Sequence, residues 1–201
     1  MKKIFISCLI TLLFFICHSG FASEIYTLDP THTEVLWHIN HLGFSNPSGK
    51  WMASGTLVLD EDNLINCQVR AIIQTADLVT ALPELDSQLK SPLFFDVKRF
   101  PTATFVSNKI GRIGKQVAFV EGILTLHGVA KPVKLLVKLN KIGKNSFSNK
   151  KTVGFTASTK IKRSDFGMTS YMPGLSDEVN INIEAEAYKE SGLHNDTIKK
   201  L

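Results

Sequence analysis

The chain has 201 residues and a formal net charge of +5 at neutral pH, which is long enough for one domain with a substantial core. Its lysines are scattered rather than clustered, so the weak positive charge argues against a protein that binds nucleic acid. Of its three cysteines, Cys8 and Cys17 fall in an N-terminal segment that we expect to be removed.

Residues 1–22 have the three parts of a secretory signal peptide. Lys2 and Lys3 precede an uncharged, mostly apolar run over 4–16, and small residues follow up to Ala22. This pattern predicts export from the cytoplasm and cleavage after Ala22. The apolar run is shorter than the roughly 20 residues of a membrane-spanning helix, although an uncleaved anchor is the alternative. After cleavage, Cys67 has no partner for an internal disulfide.

Residues 23–190 are predicted to form one domain, followed by a polar tail over 191–201. Apolar residues at every second position predict strands with one buried and one solvated face. The alternation recurs over 35–41, 52–60, 67–73, 102–110, 116–126, 133–139, 153–161 and 179–187. Short polar turns between these runs indicate antiparallel neighbours. About eight such strands predict an all-β barrel or sandwich.

One long segment interrupts the alternation between Asp77 and Phe100. Two stretches in it have helical spacing of their apolar residues, beginning near Pro83 and near Pro92. We interpret the segment as a helical crossover that covers one end of a barrel. An eight-stranded barrel either fills with side chains or holds one small ligand. The alternation alone leaves both interiors open.

The sequence contains only weak matches to motifs for catalysis or metal binding. Asp165-Phe166-Gly167 spells the DFG motif of protein kinases, but the glycine-rich loop and the catalytic loop that a kinase needs are missing. His38 and His41 point to opposite faces of a strand, which makes them poor ligands for one metal. Cys67 is interpreted as a small core residue rather than a reactive thiol. We predict no catalytic or metal-binding residue.

Two charged residues end the last-but-one alternating run. Arg163 and Asp165 share the parity of Phe155 and Ile161, so the alternation points both into the barrel at its mouth. They are either a structural ion pair or a polar collar that meets a ligand's headgroup, and an arginine suits a phosphate, carboxylate or carbonyl oxygen. The sequence does not decide between these alternatives.

Five motifs in order resemble one known family. They are YTLDPTHT at 26–33, NHLGF at 40–44, LKSPLFFDVKRFPTATF at 89–105, GILTLHGVAKPV at 122–133 and RSDFG at 163–167. Together they are similar to the YceI-like family of secreted bacterial polyisoprenoid-binding proteins. Thr33 stands where a serine is common in that family, and residues 91–93 replace a more acidic stretch.

The resemblance implies an extended, lipocalin-like antiparallel β-barrel with a short helical insertion. It implies a protein of the periplasm or the medium that is not an enzyme and needs no cofactor. Its ligand would be a long-chain amphiphile in the lumen, such as a polyisoprenoid, an isoprenoid quinone, a polyprenyl phosphate or a fatty amide. A membrane protein that delivers or receives the lipid, and a homodimer, are partners that the sequence leaves open. One alternative is a structural or stress-response module that has no ligand and acts through its surface, and another is an enzyme that acts on isoprenoids.

Combining the inward faces with this resemblance gives the candidate site residues. The residues expected to line the lumen are Trp37, Ile39, Phe94, Phe95, Phe105, Phe155 and Ile181. The candidates for the headgroup end are Asn46, Arg163 and Asp165.

Overall fold

The computed structural model describes residues 23–190, so the expected signal peptide (1–22) and polar tail (191–201) lie outside the described residues. The elements are β1 (Glu24–Leu28), β2 (Glu34–His41), β3 (Ser48–Leu59), β4 (Gln68–Gln74), α1 (Pro83–Lys90), β5 (Thr102–Arg112), β6 (Val117–Leu126), β7 (Val129–Lys144), β8 (Lys151–Lys162) and β9 (Leu175–Tyr188). Short 3₁₀ turns cover Leu64–Asn66, Thr75–Asp77 and Arg163–Phe166. No helix within 23–190 is long and apolar enough to span a membrane.

The nine strands form one antiparallel sheet that closes into a ring. The strand order is β1-β3-β2-β9-β8-β7-β6-β5-β4, and pairing of β3 with β4 closes it. β1 pairs with the Gly55–Leu59 half of β3 and β2 with the Ser48–Met52 half, so β1 and β2 act as one strand interrupted at 29–33. The barrel therefore has eight positions around its circumference, as the alternation predicted.

The inward faces follow the period of two that the sequence shows. Residues at every second position of β4, β7 and β9 line the interior, whereas their neighbours face solvent. The strand register shifts at three places: at bulges in β5 between Ser107 and Lys109 and in β7 between Leu139 and Lys141, and in the pairing of β2 with β9 between Ile39 and His41. Each bulge shifts the inward set by one residue.

The crossover contains one of the two predicted helical pieces. α1 begins at Pro83, a favourable first position for a helix. The prediction of a second helical piece beginning near Pro92 is wrong, because this stretch is a series of turns. Ser91 is extended at ψ 168°, because a residue before proline avoids the helical region. The turns are joined to α1 by a hydrogen bond from Phe95 N to Leu89 O (3.0 Å).

The turn between β6 and β7 joins two of the sequence motifs. His127 and Gly128 both have positive φ (51° and 75°), as the tight hairpin turn that suits twisted strands requires. His127 Nδ1 donates a hydrogen bond to Phe166 O (3.0 Å), and a Cβ on Gly128 would lie 2.4 Å from the Phe100 ring. The turn thus ties the crossover and the RSDFG segment to the same end of the barrel.

We call this end the near end and the opposite one the far end. The near end carries a core cluster under α1, made of Trp37, Trp51, Leu78, Leu89 and Phe94. The far end carries a second cluster, made of Tyr26, Leu28, Leu57, Val153 and Ala187. The interior between them is the candidate site.

Candidate functional site

The barrel interior holds two adjoining cavities. The near cavity has a volume of about 750 Å³ and the far cavity about 350 Å³, both within the roughly 300–1,000 Å³ of ligand pockets in proteins. Five residues line both cavities, namely Val35, Ile73, Ala103, Leu124 and Ile181. The two cavities therefore follow one another along a single, mostly apolar lumen.

The structure places the seven predicted lining residues on these walls. Trp37, Ile39, Phe94 and Phe95 line the near cavity, Phe105 and Phe155 line the far cavity, and Ile181 lines both. Strand alternation aims five of them inward, and the turns after α1 bring Phe94 and Phe95 over the near end. Contact of these residues with a ligand stays a prediction.

Aromatic rings form one wall of the near cavity. The Trp37 and Trp51 rings lie 6.4 Å apart, and Phe95 meets Trp51 edge-on at 5.0 Å. Phe94 stacks on Tyr171 at 5.9 Å. Such pairs are stabilising beyond the apolar area that they bury, so they hold the wall of the near cavity in place.

Trp51 is a wall residue that the sequence reasoning missed. Ala53 and Leu57 lie on the same face of β3 as Trp51 and are buried. Extending the alternation of β3 back by one step would have identified Trp51. Its indole Nε1 donates a hydrogen bond to Thr75 O (3.2 Å). This bond links the wall to the start of the crossover.

The mouth of the near cavity lies between two loops that are distant in the sequence. Leu42 N donates to Gly174 O (2.9 Å), which joins the loop after β2 to the loop before β9. Apolar side chains stay exposed here, with Leu42 at 58%, Tyr171 at 57% and Phe44 at 89%. Leu42 and Tyr171 also line the near cavity, so apolar surface runs from the lumen to the solvent.

Arg163 is buried beside the near cavity and binds backbone carbonyls. It is 4% exposed, and its guanidinium donates to the carbonyl oxygens of Ser176 (2.9 Å), Met168 (2.9 Å), Ser170 (2.9 Å) and Leu175 (3.1 Å). Burial lowers the pKa of this group, and the nearby Asp177 carboxylate raises it. Arg163 therefore fixes the loop over 168–176 at the mouth.

The expectation that Asp165 points inward beside Arg163 is wrong. Asp165 is exposed, because β8 ends at Lys162 and the chain then turns as a 3₁₀ helix, where strand parity no longer applies. The carboxylate that serves this segment is Asp177, which accepts hydrogen bonds from Ser164 N (2.9 Å) and Ser164 Oγ (2.8 Å). These bonds lower the pKa of Asp177.

Asn46 also lies off the cavity walls. It is exposed and accepts a hydrogen bond from Asn40 Nδ2 (3.2 Å), while its neighbours Ser45 and Pro47 line the near cavity. Among the three headgroup candidates, only Arg163 lines a cavity.

Charged residues that the sequence reasoning missed lie at the edge of the far cavity. Glu61, Arg112 and Lys115 line it and are exposed. The bulge in β5 explains why Arg112 was missed, since parity counted from Phe105 would have turned it outward. Cys67 lines the same cavity next to Asp60, and burial raises the pKa of its thiol, which disfavours a reactive thiolate.

An ion-pair network lies beside the far-end cluster. Glu24 accepts hydrogen bonds from Lys151 Nζ (2.7 Å), Lys189 Nζ (2.8 Å) and the Tyr26 hydroxyl (2.7 Å). The two ammonium groups hold the pKa of Glu24 at about 2. Burial and the Glu24 carboxylate raise the pKa of Tyr26 to about 12. The network ties β1 to β8 and to the end of the described chain.

Curated sequences similar to this chain are YceI proteins. The Protein YceI of Salmonella arizonae is 35% identical over 193 residues, which cover 94% of this chain and all of the relative. The Protein YceI of Salmonella paratyphi B matches to the same extent.

Three solved structures share this fold. Burkholderia cenocepacia BcnA is similar at a TM-score of 0.72 and 24% identity, over 79% of this chain and 98% of that one. The Campylobacter jejuni YceI protein reaches 0.68 at 30% identity, over 76% and 90%. A polyisoprenoid binding domain from Saccharophagus degradans, implicated in plant cell wall breakdown, reaches 0.65 at 13% identity, over 82% and 98%.

The resemblance seen in the sequence motifs is confirmed by a family model. The model of the YceI-like domain matches residues 26–187, which run from the third residue of β1 to the last residue but one of β9. The matched region thus contains nearly the whole barrel, with all the residues that line both cavities, and the chain belongs to the YceI-like family.

Proposed function

We propose that this protein binds one long-chain amphiphile in its lumen and carries, stores or sequesters it without catalysis. The observation that carries the proposal is the lumen itself, two adjoining cavities with mostly apolar walls that continue to an apolar mouth. A flexible hydrocarbon chain can occupy both cavities in turn, and their mostly apolar walls would exclude water from such a tail.

Burial of the tail supplies most of the affinity in this proposal. Apolar burial stabilises a complex by roughly 25 cal/mol per Å² removed from water, reduced by the entropy lost when a flexible tail is ordered. The far cavity, lined by Phe105, Phe155 and Val137, accommodates the tail's end. The near cavity, which is larger and reaches the mouth, accommodates the part next to the headgroup.

The chemical class of the ligand is supported by the family. A structural relative is a polyisoprenoid binding domain, and we extend that class to this chain as part of the proposal. An isoprenoid quinone, another polyisoprenoid or a fatty amide all combine a long apolar tail with a small polar group. The proposal includes no nucleic-acid ligand.

The place of action follows from the N-terminal pattern. We propose that residues 1–22 direct export and that the mature protein works in the periplasm or outside the cell. A carrier there takes its lipid from a membrane and returns it to one, so a membrane protein as donor or acceptor belongs to the proposal. The proposal leaves open whether the protein acts as a monomer or as a homodimer, which a measurement of its mass in solution would decide.

The experiment that tests the proposal is extraction of the native protein. The protein is purified from its own compartment without detergent, extracted with organic solvent, and the extract is examined by mass spectrometry. We expect about one amphiphile per chain. A barrel that is repeatedly empty and takes up no prenyl or acyl probe would contradict the proposal and favour the structural module that acts through its surface.

A further inference from the structure

Five large apolar side chains are exposed on the loops at the mouth of the near cavity. They are Leu42, Phe44, Leu93, Tyr171 and Met172, each between 40% and 89% exposed, and we call them the rim. Leu42, Tyr171 and Met172 also line the near cavity. A monomeric protein rarely leaves a large group of apolar side chains together in water, so the rim calls for a partner.

Hydrogen bonds between the loops hold the rim together. Leu42 N donates to Gly174 O (2.9 Å), which joins the loop after β2 to the loop before β9. The Ser170 hydroxyl donates to Leu93 O (2.7 Å), which joins the loop before β9 to the turns after α1. Three segments that are far apart in the chain therefore present their apolar side chains on one surface.

These three segments contain almost no charge. Residues 40–47, 88–95 and 168–174 include no aspartate or glutamate, and Lys90 is their one lysine or arginine. Asp96, which follows the second segment, is half-buried. A carboxylate at this surface would be repelled by an anionic membrane and costly to bring into the region of the headgroups, so the composition of the segments suits a lipid surface.

The exposed apolar residues of the far end, by contrast, lie among charges. Ile65, Ile113 and Phe147 are exposed there, and each has a lysine, arginine, aspartate or glutamate within three residues in the chain. Of the rim residues, only Leu93 has such a neighbour. The two ends of the barrel thus differ in the chemistry of a partner that they could contact.

The backbone of the rim is also prepared for a medium without water. The four N–H groups over 41–44 all donate hydrogen bonds within the protein at 2.9 Å. The N–H groups of Leu93 and Met172 are paired as well, and Pro92 and Pro173 have none. An N–H group without a partner is costly in an apolar medium, so these parts of the loops can leave water without that penalty.

We propose that the rim docks on the surface of a lipid bilayer, where its side chains enter the boundary between the headgroups and the acyl chains. The inference rests on the proposed function and adds the surface through which the amphiphile enters and leaves. Because the rim lies at the mouth, docking opens the lumen onto acyl chains, and the tail passes between two apolar media without crossing water. Tyr171, with an apolar ring and a polar hydroxyl, suits this boundary.

The first test measures binding to vesicles of phosphatidylethanolamine and phosphatidylglycerol by flotation, with protein purified from its own compartment without detergent. We expect Phe44→Asn combined with Leu93→Asn to weaken binding roughly 10- to 100-fold, because two large apolar side chains no longer enter the bilayer. Both residues are exposed and neither lines a cavity, so the variant should fold normally. Ile65→Asn combined with Phe147→Asn is the matched control at the far end and should bind as the wild type does.

The salt dependence of the same binding tests its apolar origin. Since the three segments contain one charged residue, Lys90, we expect binding to change by less than about twofold between about 0.05 and 0.5 M salt. Binding through the lysines and arginines of the far end would instead fall steeply as salt screens them.

The second test locates the contact by fluorescence quenching. Phe44→Trp adds a tryptophan to the rim, and Phe147→Trp adds one to the far end. Vesicles with bromine on their acyl chains quench a tryptophan that reaches them. We expect them to quench the emission of Phe44→Trp more than that of the wild type, and the emission of Phe147→Trp no more than that of the wild type.

The third test separates docking from binding in the lumen. A three-isoprene alcohol supplied from solution should load the Phe44→Asn and Leu93→Asn double variant to the same extent as the wild type. Its transfer from vesicles to the variant should slow by about the factor by which vesicle binding weakens.

The remaining outcomes separate this inference from the proposed function. Loss of vesicle binding in the far-end control, or on raising the salt, would place the docking surface among the charges of the far end and overturn the inference. A lipid-loaded protein that binds no vesicle would mean that a membrane protein contacts the rim, which overturns the inference and keeps the carrier. A protein that docks through the rim but takes up no prenyl or acyl probe would contradict the proposed function alone.

Discussion

At the far end of the barrel, Tyr26, Val153 and Ala187 are fully buried, and the Glu24 network ties the neighbouring strands together. At the near end, Leu42, Phe44 and Tyr171 are exposed around an open cavity. Exposed apolar surface of this kind adds nothing to the stability of the fold and is typical of binding sites. The far end is thus closed by buried side chains and ion pairs, whereas the near end combines a buried cluster with apolar side chains exposed around its mouth.

Arg163 is the exception at the near end, and its replacement should have the largest effect on stability. Arg163→Met leaves one buried and three partly buried carbonyl oxygens without their donor, so we expect the free energy of unfolding to fall by about 3–5 kcal/mol. Chemical denaturation measures this loss. Arg112→Met, at an exposed arginine of the far end, is the control and should change stability by about 0.5 kcal/mol or less. Normal stability combined with lost ligand uptake would instead identify Arg163 as a headgroup residue.

Phe155→Glu tests the lumen between the two ends. A carboxylate on the far-cavity wall is poorly solvated and repels an apolar tail, so we expect uptake of a prenyl probe to fall by roughly 100-fold or more. Phe147→Glu is the matched control, because Phe147 is 96% exposed in the turn after β7, and its uptake should equal that of the wild type. Circular dichroism checks that both variants fold. Unchanged uptake by a folded Phe155→Glu protein would show that the tail does not reach the far cavity.

Glu24→Gln tests the far end and should have the smallest effect. The folded-state pKa of Glu24, about 2, lies below its ordinary value of 4.5, so the carboxylate stabilises the fold above pH 4.5 and this contribution is lost as the pH falls from 4.5 to 2. We expect the variant to be less stable at pH 7 by about 1 kcal/mol, since the pairs are partly exposed. Denaturation curves should converge near pH 2. A gap that is constant with pH would mean that packing, not charge, accounts for the difference.

The strands and their inward faces could be predicted because alternation is a local property of the chain. The same rule placed Trp37 and Phe155 on cavity walls without any knowledge of their partners. It failed for Asp165, because β8 ends at Lys162 and alternation does not apply beyond the strand. It also failed for Arg112, because the bulge in β5 exchanges the inward and outward positions that follow it. Neither a strand's end nor a bulge has a strong signal in the residues themselves.

The mouth of the near cavity and the unpaired indole N–H of Trp37 could not be predicted from the sequence. The mouth exists because the loops containing Leu42 and Gly174 meet through a hydrogen bond, a contact between segments that are far apart in the chain. The state of the Trp37 N–H depends on every neighbour of the ring at once. The composition of the walls could be predicted, but the space left between them depends on how the closed barrel packs.

The placement of both tryptophans in the near-end cluster has a practical consequence. Since the chain contains only these two, its intrinsic fluorescence reports on the near end alone, whereas circular dichroism reports on all nine strands. If the near end loosens before the far end, the two signals will separate during denaturation. A bound quinone, which quenches tryptophan emission at short range, would lower the fluorescence of the protein. Ligand binding could therefore be followed without a label.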